Sequence, residues 1–333
     1  MSKRFTLVDA LRGIAALSVV LYHALGANHV AALAGIMPAW LYTIISNGKL
    51  GVAVFFVISG FVIAHSLRGG LTVADAGRFM LKRSIRLDPP YWFAIAIACS
   101  IAVVKGTEDF SAPQILAHFF YLQDLLGFQS ISPVFWTLCL ELQFYLVFAI
   151  LLLTRSSAAL GIAIALSLPL SVYQIHAGLF TSLWYGFLLG VAAYRAMPWF
   201  VAYAGALFLI GIYQQDAFML VCVATAIWLF VASVYGTLTT WLNWRWLQFL
   251  GTISYSLYLI HNPVTGATFR IGYALTTRTP ATEALWWLVS IATSIGAAWL
   301  VWLVIERPSV KLSKSLFQPH PQFRKKPDPV NAP

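Results

Sequence analysis

Apolar side chains fill long runs along this chain, and short polar segments separate these runs. A helix needs about 20 apolar residues to cross a bilayer, with a range of roughly 17 to 25. Runs of this length recur from one end to the other and predict an all-α integral membrane protein with about ten transmembrane helices. The predicted spans are 6–26, 49–67, 88–105, 133–153, 157–173, 179–194, 198–213, 217–235, 250–269 and 284–305.

Three further segments complete the predicted organisation. The apolar stretches 36–46 and 114–126 are too short to cross, and we expect them to lie at the membrane interface or to re-enter from one side. From Gln318 the chain is polar and rich in proline, which predicts disorder because such a segment cannot bury a core. The chain therefore divides into a transmembrane domain, 1–310, and a basic, proline-rich cytoplasmic tail, 311–333.

Composition supports the membrane class. Hydrophobic residues make up 60% of the chain and charged residues 10%, whereas charged residues are about a quarter of a typical soluble domain. The net charge of +10 does not indicate a nucleic-acid partner, because the basic residues cluster in short loops and in the tail. No metal site is expected, since the three cysteines lie in apolar runs without metal-ligand spacing: Cys99, Cys139 and Cys222.

The distribution of basic residues predicts the topology. An even number of spans places both termini on one side, and the side rich in lysine and arginine is the cytoplasm. One side carries only Lys49, Lys105, Arg270 and Arg278. We therefore expect both termini to be cytoplasmic. The basic side carries Lys3, Arg4, Arg68, Arg78, Lys82, Arg83, Arg86, Arg155, Arg195, Arg245, Arg307, Lys311, Lys314, Arg324, Lys325 and Lys326.

Ionisable residues inside two predicted spans are the first candidates for chemistry. Arg12 and His23 project from one helix face, offset by about 20° and separated by about 16 Å. Glu141 lies roughly 12 Å below the outer end of its span, within reach of His23. It is the only acidic residue that we place well inside the hydrocarbon. A histidine with a carboxylate partner is typical of a general base, so His23 and Glu141 are predicted to be catalytic. A structural ion pair or a packing histidine would also explain them.

The segment "GRFMLKRSIRLDPPYW" is the second candidate, a basic loop before the third predicted span. Arg83 and Arg86 share one face next to Lys82, and we expect a proline break at Pro89 and Pro90. Clustered arginines at a membrane mouth suit phosphate groups. The positive-inside rule or contact with anionic lipid would equally explain these charges.

Two other spans are interpreted as structural. In "LGTISYSLYLIHNPV" we expect Pro263 to break the helix where the backbone lines a cavity, and His261 is assigned a structural role. In "GVAVFFVISGFVIAHS" the small residues Gly51, Ser59 and Gly60 favour close helix packing.

These segments, in this order, resemble the membrane-bound acyltransferase 3 family. Arg12 and His23 coincide with the arginine and histidine of its opening signature, and the resemblance covers about residues 5–310. Members include O-acetyltransferases of bacterial surface polysaccharides, nodulation-factor acetylation enzymes and macrolide acyltransferases. The matching segments are "LVDALRGIAALSVVLYHA", "GVAVFFVISGFVI", "KRSIRLDPPYW", "FWTLCLELQFYLVF", "LGTISYSLYLIHNP" and "VIERP".

The resemblance implies a ten-helix core with cytoplasmic termini, an acyl-CoA donor from the cytoplasm and a sugar acceptor reached from outside. It implies that His23 is catalytic, that Glu141 is required, and that Arg83 and Arg86 belong to the donor site. The chain departs from the family where Cys139, in "WTLCLE", replaces a serine, and where one loop arginine is a lysine. These changes are expected to shift substrate preference. Many relatives add a periplasmic SGNH-hydrolase-like domain, which we do not expect here.

The predicted function is transfer of an acyl group, by default acetyl, from cytoplasmic acetyl-CoA to a sugar hydroxyl of a surface or exported glycan. The enzyme is expected to be multi-pass in the inner (plasma) membrane, to contact lipid and to work beside polysaccharide-assembly proteins. The rival prediction is a proton-coupled transporter or flippase with His23 and Glu141 as a proton relay. The predicted donor-binding residues are Arg12, Lys82, Arg83 and Arg86, and the candidate oxyanion or acceptor contacts are Tyr145, Tyr255 and Asn262.

Overall fold

A computed structural model describes residues 4–67, 72–106, 110–173, 179 and 181–316, and within these residues the regular structure is helical. The helices pack around one apolar core. Their bounds are α1 Thr6–Leu25, α2 Ala31–Ile36, α3 Ala39–Ser46, α4 Gly51–Ser66, α5 Val73–Lys105, α6 Ala112–Phe119, α7 Trp136–Leu153, α8 Ser157–Val172, α9 Trp184–Tyr194, α10 Phe200–Gln214, α11 Ala217–Val234, α12 Arg245–Leu275, α13 Pro280–Val301 and α14 Arg307–Leu316.

The long apolar helices confirm the prediction of an all-α, multi-pass membrane protein. Among the described residues, six helical segments are long and apolar enough to cross a membrane, and α8 and α10 are shorter apolar helices. The count of ten spans and the cytoplasmic side of the termini stay predictions. The six segments are Thr6–Leu25, Ala39–Ser66, Val73–Val104, Trp136–Leu153, Ala217–Val234 and Pro280–Leu316.

The basic segment before the third predicted span is helical, which corrects the prediction of a loop. Helix α5 is continuous over 33 residues and contains both Pro89 and Pro90, so the expected proline break is wrong. A capping box between Thr72 and Asp75 starts the helix well before the apolar run. Arg83 and Arg86 are therefore held on a rigid helix that enters the protein interior.

The expected break at Pro263 is also wrong, because α12 runs through it as one helix of 31 residues. A proline removes one backbone hydrogen bond, and neighbouring groups can compensate for it. Two residues before Pro263, the His261 imidazole hydrogen-bonds two carbonyls of its own helix. Near the proline pair of α5, the Tyr255 hydroxyl donates to the Leu87 carbonyl at 2.8 Å.

Glycines allow two helix pairs to make backbone contact. A Cβ on Gly60 of α4 would lie 1.9 Å from the Phe187 carbonyl oxygen of α9, and a Cβ on Gly251 of α12 would lie 2.1 Å from the Asp9 carbonyl oxygen of α1. Both distances are far inside van der Waals contact, so only glycine fits. The predicted packing role of Gly60 is confirmed, and Gly51 likewise approaches α1 closely.

The remaining segments refine the predicted boundaries. Segment 36–46 contains α3, and segment 114–126 overlaps α6, which begins at Ala112 and at eight residues is too short to cross. The first residues of the predicted tail belong to α14, whose Ser313 hydroxyl donates to the Lys82 carbonyl of α5 at 2.8 Å. The domain boundary at 310 therefore falls inside a helix, and residues 317–333 lie outside the described part.

Candidate active site

A narrow cavity of about 90 Å³ lies where α1, α4, α5, α7 and α12 meet. Each of these helices contributes at least one polar side chain, while residues such as Phe55 and Leu138 supply apolar walls. Five predicted site residues from four helices lie around this cavity: Arg12, Arg83, Arg86, Glu141 and Tyr255. The polar lining consists of Arg12, Ser59, Arg83, Arg86, Thr137, Glu141, Ser254, Tyr255 and Tyr258.

The carboxylate of Glu141 is held by three partners from three helices. The Ser59 hydroxyl donates to Oε1 at 2.5 Å, the Tyr145 hydroxyl one turn further along α7 donates to the same oxygen, and Arg83 lies 3.5 Å away. Ser59, predicted only as a packing residue, is therefore a direct contact in this cavity. The carboxylate is neutralised where it lies, as a buried charge requires.

Arg83 is held in place by two aromatic rings and a hydrogen bond. It donates to the Tyr145 hydroxyl and lies 4.1 Å above the centre of that ring, with the Phe79 ring 5.8 Å away. Its side chain is 16% exposed, so little solvent weakens the attraction to Glu141. Tyr145 therefore positions this pair, and its hydroxyl is engaged there rather than free to contact a substrate.

Two other arginines leave positive charge available in the cavity. Among the described residues, Arg12 and Arg86 form no ion pair within 4.0 Å. The Nε atoms of Arg83 and Arg86 are buried without a hydrogen-bond partner in the same part of the chain. Unpartnered buried donors are rare in folded proteins, and guanidinium groups bind oxyanions well. The cavity is thus chemically suited to an anionic ligand.

A second carboxylate, Glu306, supports these arginines, which corrects the prediction that Glu141 alone lies inside. Glu306 is 4% exposed and accepts hydrogen bonds from the Ser256 hydroxyl and amide, at 2.6 and 3.3 Å. Its charge acts on both Arg12 and Arg86. It lies in a π-helical turn, Trp302–Glu306, a distortion found often at functional sites. The sequence placed it just beyond the tenth predicted span.

Not every predicted site residue reaches the cavity. Lys82 is exposed and absent from the lining, because it lies on a different face of α5 from its neighbour Arg83. Asn262 is half-buried and also absent from the lining. Tyr255 does line the cavity, but its hydroxyl already donates to the Leu87 carbonyl. The structure therefore supplies no free Tyr255 or Tyr145 hydroxyl proton for an oxyanion.

His23 lies in the last turn of α1, outside the cavity lining, and is half-buried. The predicted pairing with Glu141 is not found among the hydrogen bonds and ion pairs of the described residues. The spacing along the sequence predicts how deep His23 and Glu141 lie in the membrane. It does not predict which neighbouring helix each side chain faces. The nearest imidazole is instead His261 of α12, with ring centroids 5.1 Å apart.

Comparison with known proteins decides the class of chemistry. The sequence profile of the acyltransferase domain matches residues 6–303, nearly the whole described chain. The chain belongs to the acyltransferase 3 family. It is therefore an acyltransferase, and its apolar helices make it a membrane enzyme. The charged cavity and the nearby histidine pair offer polar chemistry within the apolar core of this acyltransferase.

Individual relatives agree with this assignment. The acyltransferase is 27% identical over 370 residues to nodulation protein 10 of Rhizobium leguminosarum bv. viciae, covering 92% of this chain and 94% of that protein. It is 29% identical over 139 residues to a protein of Acidianus two-tailed virus named as a candidate acetyltransferase, covering 42% of this chain and 38% of the viral protein.

A third relative is named as a candidate O-acetyltransferase, from Staphylococcus aureus (strain COL). The two chains are 27% identical over 163 residues, which is 44% of this chain and 24% of that protein. The acyltransferase thus spans a small part of the viral and staphylococcal proteins, and nearly all of the rhizobial protein. No solved structure matches it.

Proposed function

We propose that this acyltransferase moves an acetyl group from acetyl-CoA to a sugar hydroxyl of a surface or exported glycan. The observation that carries the proposal is the cluster of three arginines around the cavity, two of which form no ion pair with any residue that the structure describes. Acyl-CoA is an anionic donor through its phosphates, and arginine recognises phosphate with directed hydrogen bonds. The names of two relatives as candidate acetyltransferases support acetyl as the group transferred.

The donor is proposed to bind along α1. Its phosphates lie against Arg12 and Arg86, which form no ion pair among the described residues, while Glu141 and Tyr145 hold Arg83 in position. Arg12 and His23 are separated by about 16 Å along the helix. This separation is comparable to the length of an extended pantetheine arm. A donor whose phosphates contact Arg12 would therefore have its thioester beside His23. Lys82 is left out of this site because it is exposed on another face.

His23 is proposed to act as the general base. It takes the proton of the sugar hydroxyl as that oxygen attacks the thioester carbonyl carbon, and the bond between this carbon and sulfur then breaks. The proton passes from His23 to the departing sulfur, so that coenzyme A leaves as a thiol. Glu141 contributes at the donor end, where it neutralises and orients Arg83.

The acceptor is proposed to reach His23 from the outer side of the inner membrane. His23 is half-buried rather than enclosed, so a substrate can approach it. A sugar hydroxyl fits an oxygen nucleophile activated by one base, and the resulting ester would be carried on an exported glycan. Polysaccharide-assembly proteins are the expected source of this acceptor.

The test is a measurement of base-labile ester acetate on the surface and secreted glycans of the source cells. A deletion strain is compared with the same strain carrying wild-type protein or His23→Ala at equal membrane abundance. We expect acetate to be lost on deletion, restored by wild type and absent with His23→Ala. Unchanged glycan acetate on deletion, with no acetyl-CoA consumed by membranes containing the protein, would contradict the proposal and favour a transporter.

A further inference from the structure

His261 is the most enclosed ionisable group near the proposed base, and its tautomer follows from its contacts. The side chain is 0% exposed. Its Nδ1 lies 2.8 Å from the carbonyl oxygen of Tyr258 and 3.1 Å from that of Leu257. A carbonyl oxygen only accepts hydrogen bonds, so Nδ1 carries the proton and donates. The other nitrogen, Nε2, therefore bears a lone pair.

This lone pair meets no donor in the part of the chain that the structure describes. Nε2 of His261 is buried and has no hydrogen-bond partner among the described residues. Such an atom calls for an explanation, because most buried polar side-chain atoms are partnered. The His23 ring lies 5.1 Å away between centroids, with the planes inclined by 49°. This separation of the ring centres is short enough for an N–H of His23 that points toward His261 to reach hydrogen-bond distance of Nε2.

His261 also connects His23 to the cavity. The Tyr258 ring lies 6.1 Å from the His261 ring, and Tyr258 lines the cavity that contains the arginines. Two hydrogen bonds to the carbonyls of its own helix prevent His261 from turning its N–H outward. The imidazole is thus held as a fixed acceptor beside His23, at the outer end of the proposed donor path.

The geometry points to His261 as the positioning residue of the proposed base: its Nε2 accepts a hydrogen bond from one N–H of His23 and leaves the other nitrogen of His23 free to take the hydroxyl proton. This inference rests on the proposed acyl transfer. It assigns to His261 the orienting role that the sequence suggested for Glu141, whose carboxylate is occupied elsewhere.

The proton balance is closed by His23 alone. Neutral His23 donates one N–H to His261, gains the hydroxyl proton at its other nitrogen during attack, and passes that proton to the departing thiolate. His261 remains neutral throughout, because two adjacent imidazoles do not readily carry positive charge together. Among the described residues, His23 is the titratable group whose charge acts on His261.

Three variants of His261 distinguish a hydrogen-bond acceptor for His23 from a side chain that only fills space. His261→Gln can place a carbonyl oxygen where Nε2 lies, His261→Asn can replace only the Nδ1 donor, and His261→Phe keeps the ring volume alone. His118→Asn is the matched control, because His118 is equally enclosed and bonds the backbone through both nitrogens, at Gln114 and Ile131. Acetyl transfer from labelled acetyl-CoA to glycan is measured in membranes of the deletion strain containing equal amounts of each variant.

We expect His261→Gln to keep most of the rate, and His261→Asn and His261→Phe to lower kcat by about 100-fold, the lower end of a general-base contribution. The KM for acetyl-CoA should stay the same. The acid limb of the rate profile should move to lower pH in the latter two, because the protonated form of His23 loses a stabilising acceptor. Equal rates and identical pH profiles for Gln and Asn would overturn the inference.

A second measurement keeps this test independent of the proposed function. Nitrogen-15 resonances of labelled histidine in the purified full chain report whether Nε2 of His261 accepts a hydrogen bond, and His23→Phe should shift that resonance. An unshifted resonance overturns the pairing. A shifted resonance, with no acetyl transfer by wild-type membranes, supports the pairing and contradicts the proposed function.

Discussion

The ion pair between Arg83 and Glu141 offers a quantitative test of the cavity. The charged atoms are 3.5 Å apart, and the side chains are 16% and 22% exposed. At an effective dielectric constant of about 20 the attraction is about 5 kcal/mol, before the cost of removing both charges from water. Removing one partner of a buried pair typically costs about 3–5 kcal/mol, since the other charge is left uncompensated.

Glu141→Gln is the cleanest perturbation, because glutamine keeps the size of the side chain and can still accept from Ser59. It leaves Arg83 facing the like charges of Arg12 and Arg86. We expect the free energy of unfolding to fall by about 3 kcal/mol, at the lower end of that range because both side chains keep some solvent contact.

The assay is unfolding of the purified protein in mixed micelles as the fraction of denaturing detergent rises. Glu141→Gln, Arg83→Gln and the double variant form a cycle, and the double variant should lose about 2 kcal/mol less than the sum of the two single variants. Arg78→Gln is the control, because its pair with Asp75 spans 3.9 Å on the surface and should contribute no measurable stability. Additive losses from the two cavity substitutions would refute the coupling and the placement of Arg83 against Glu141.

Three further outcomes are expected. Arg12→Gln should weaken acetyl-CoA binding by about tenfold, through loss of a charged hydrogen bond, whereas Lys82→Gln should leave the measured Kd unchanged; equal effects would refute the proposed donor site. Gly60→Val should sharply reduce the yield of folded protein in gel filtration, because its Cβ meets backbone, while Gly205→Val, with open space around it, should not. Burial lowers the pKa of His118 below its ordinary value of 6.5. The neutral side chain therefore contributes its full stability above pH 6.5, and this contribution is lost as the pH falls toward the lowered pKa. His118→Gln should flatten the curve of melting temperature against pH below pH 6.5.

The class of the protein and part of its site follow from local pattern. Long apolar runs predict membrane helices because the bilayer fixes their length, and an arginine inside such a run is expected to face the protein interior. This logic made Arg12 and Glu141 candidate site residues, and both line one cavity of the structure. The same apolar runs distinguish this membrane protein from soluble proteins without any family resemblance.

What the sequence missed depends on tertiary packing. Depth along a helix follows from rise per residue, but the direction of a side chain depends on how helices pack, so Glu141 meets Ser59 and Arg83 rather than His23. Local rules for proline also failed in α5 and α12, where surrounding packing outweighs the cost of one lost hydrogen bond. His261 gave only a weak signal, a histidine two residues before Pro263, and its orphaned Nε2 is visible only in three dimensions.

The most direct test of the proposed acyl transfer is incorporation of label from acetyl-labelled acetyl-CoA into base-labile ester, in membranes of the deletion strain containing wild-type protein or His23→Asn. Equal abundance and an unchanged gel-filtration profile of the purified variant serve as controls. Wild-type membranes should form labelled ester and release coenzyme A in equal amounts, and His23→Asn should form about a hundredth or less. Equal labelling by both proteins would contradict the role of His23 as the base.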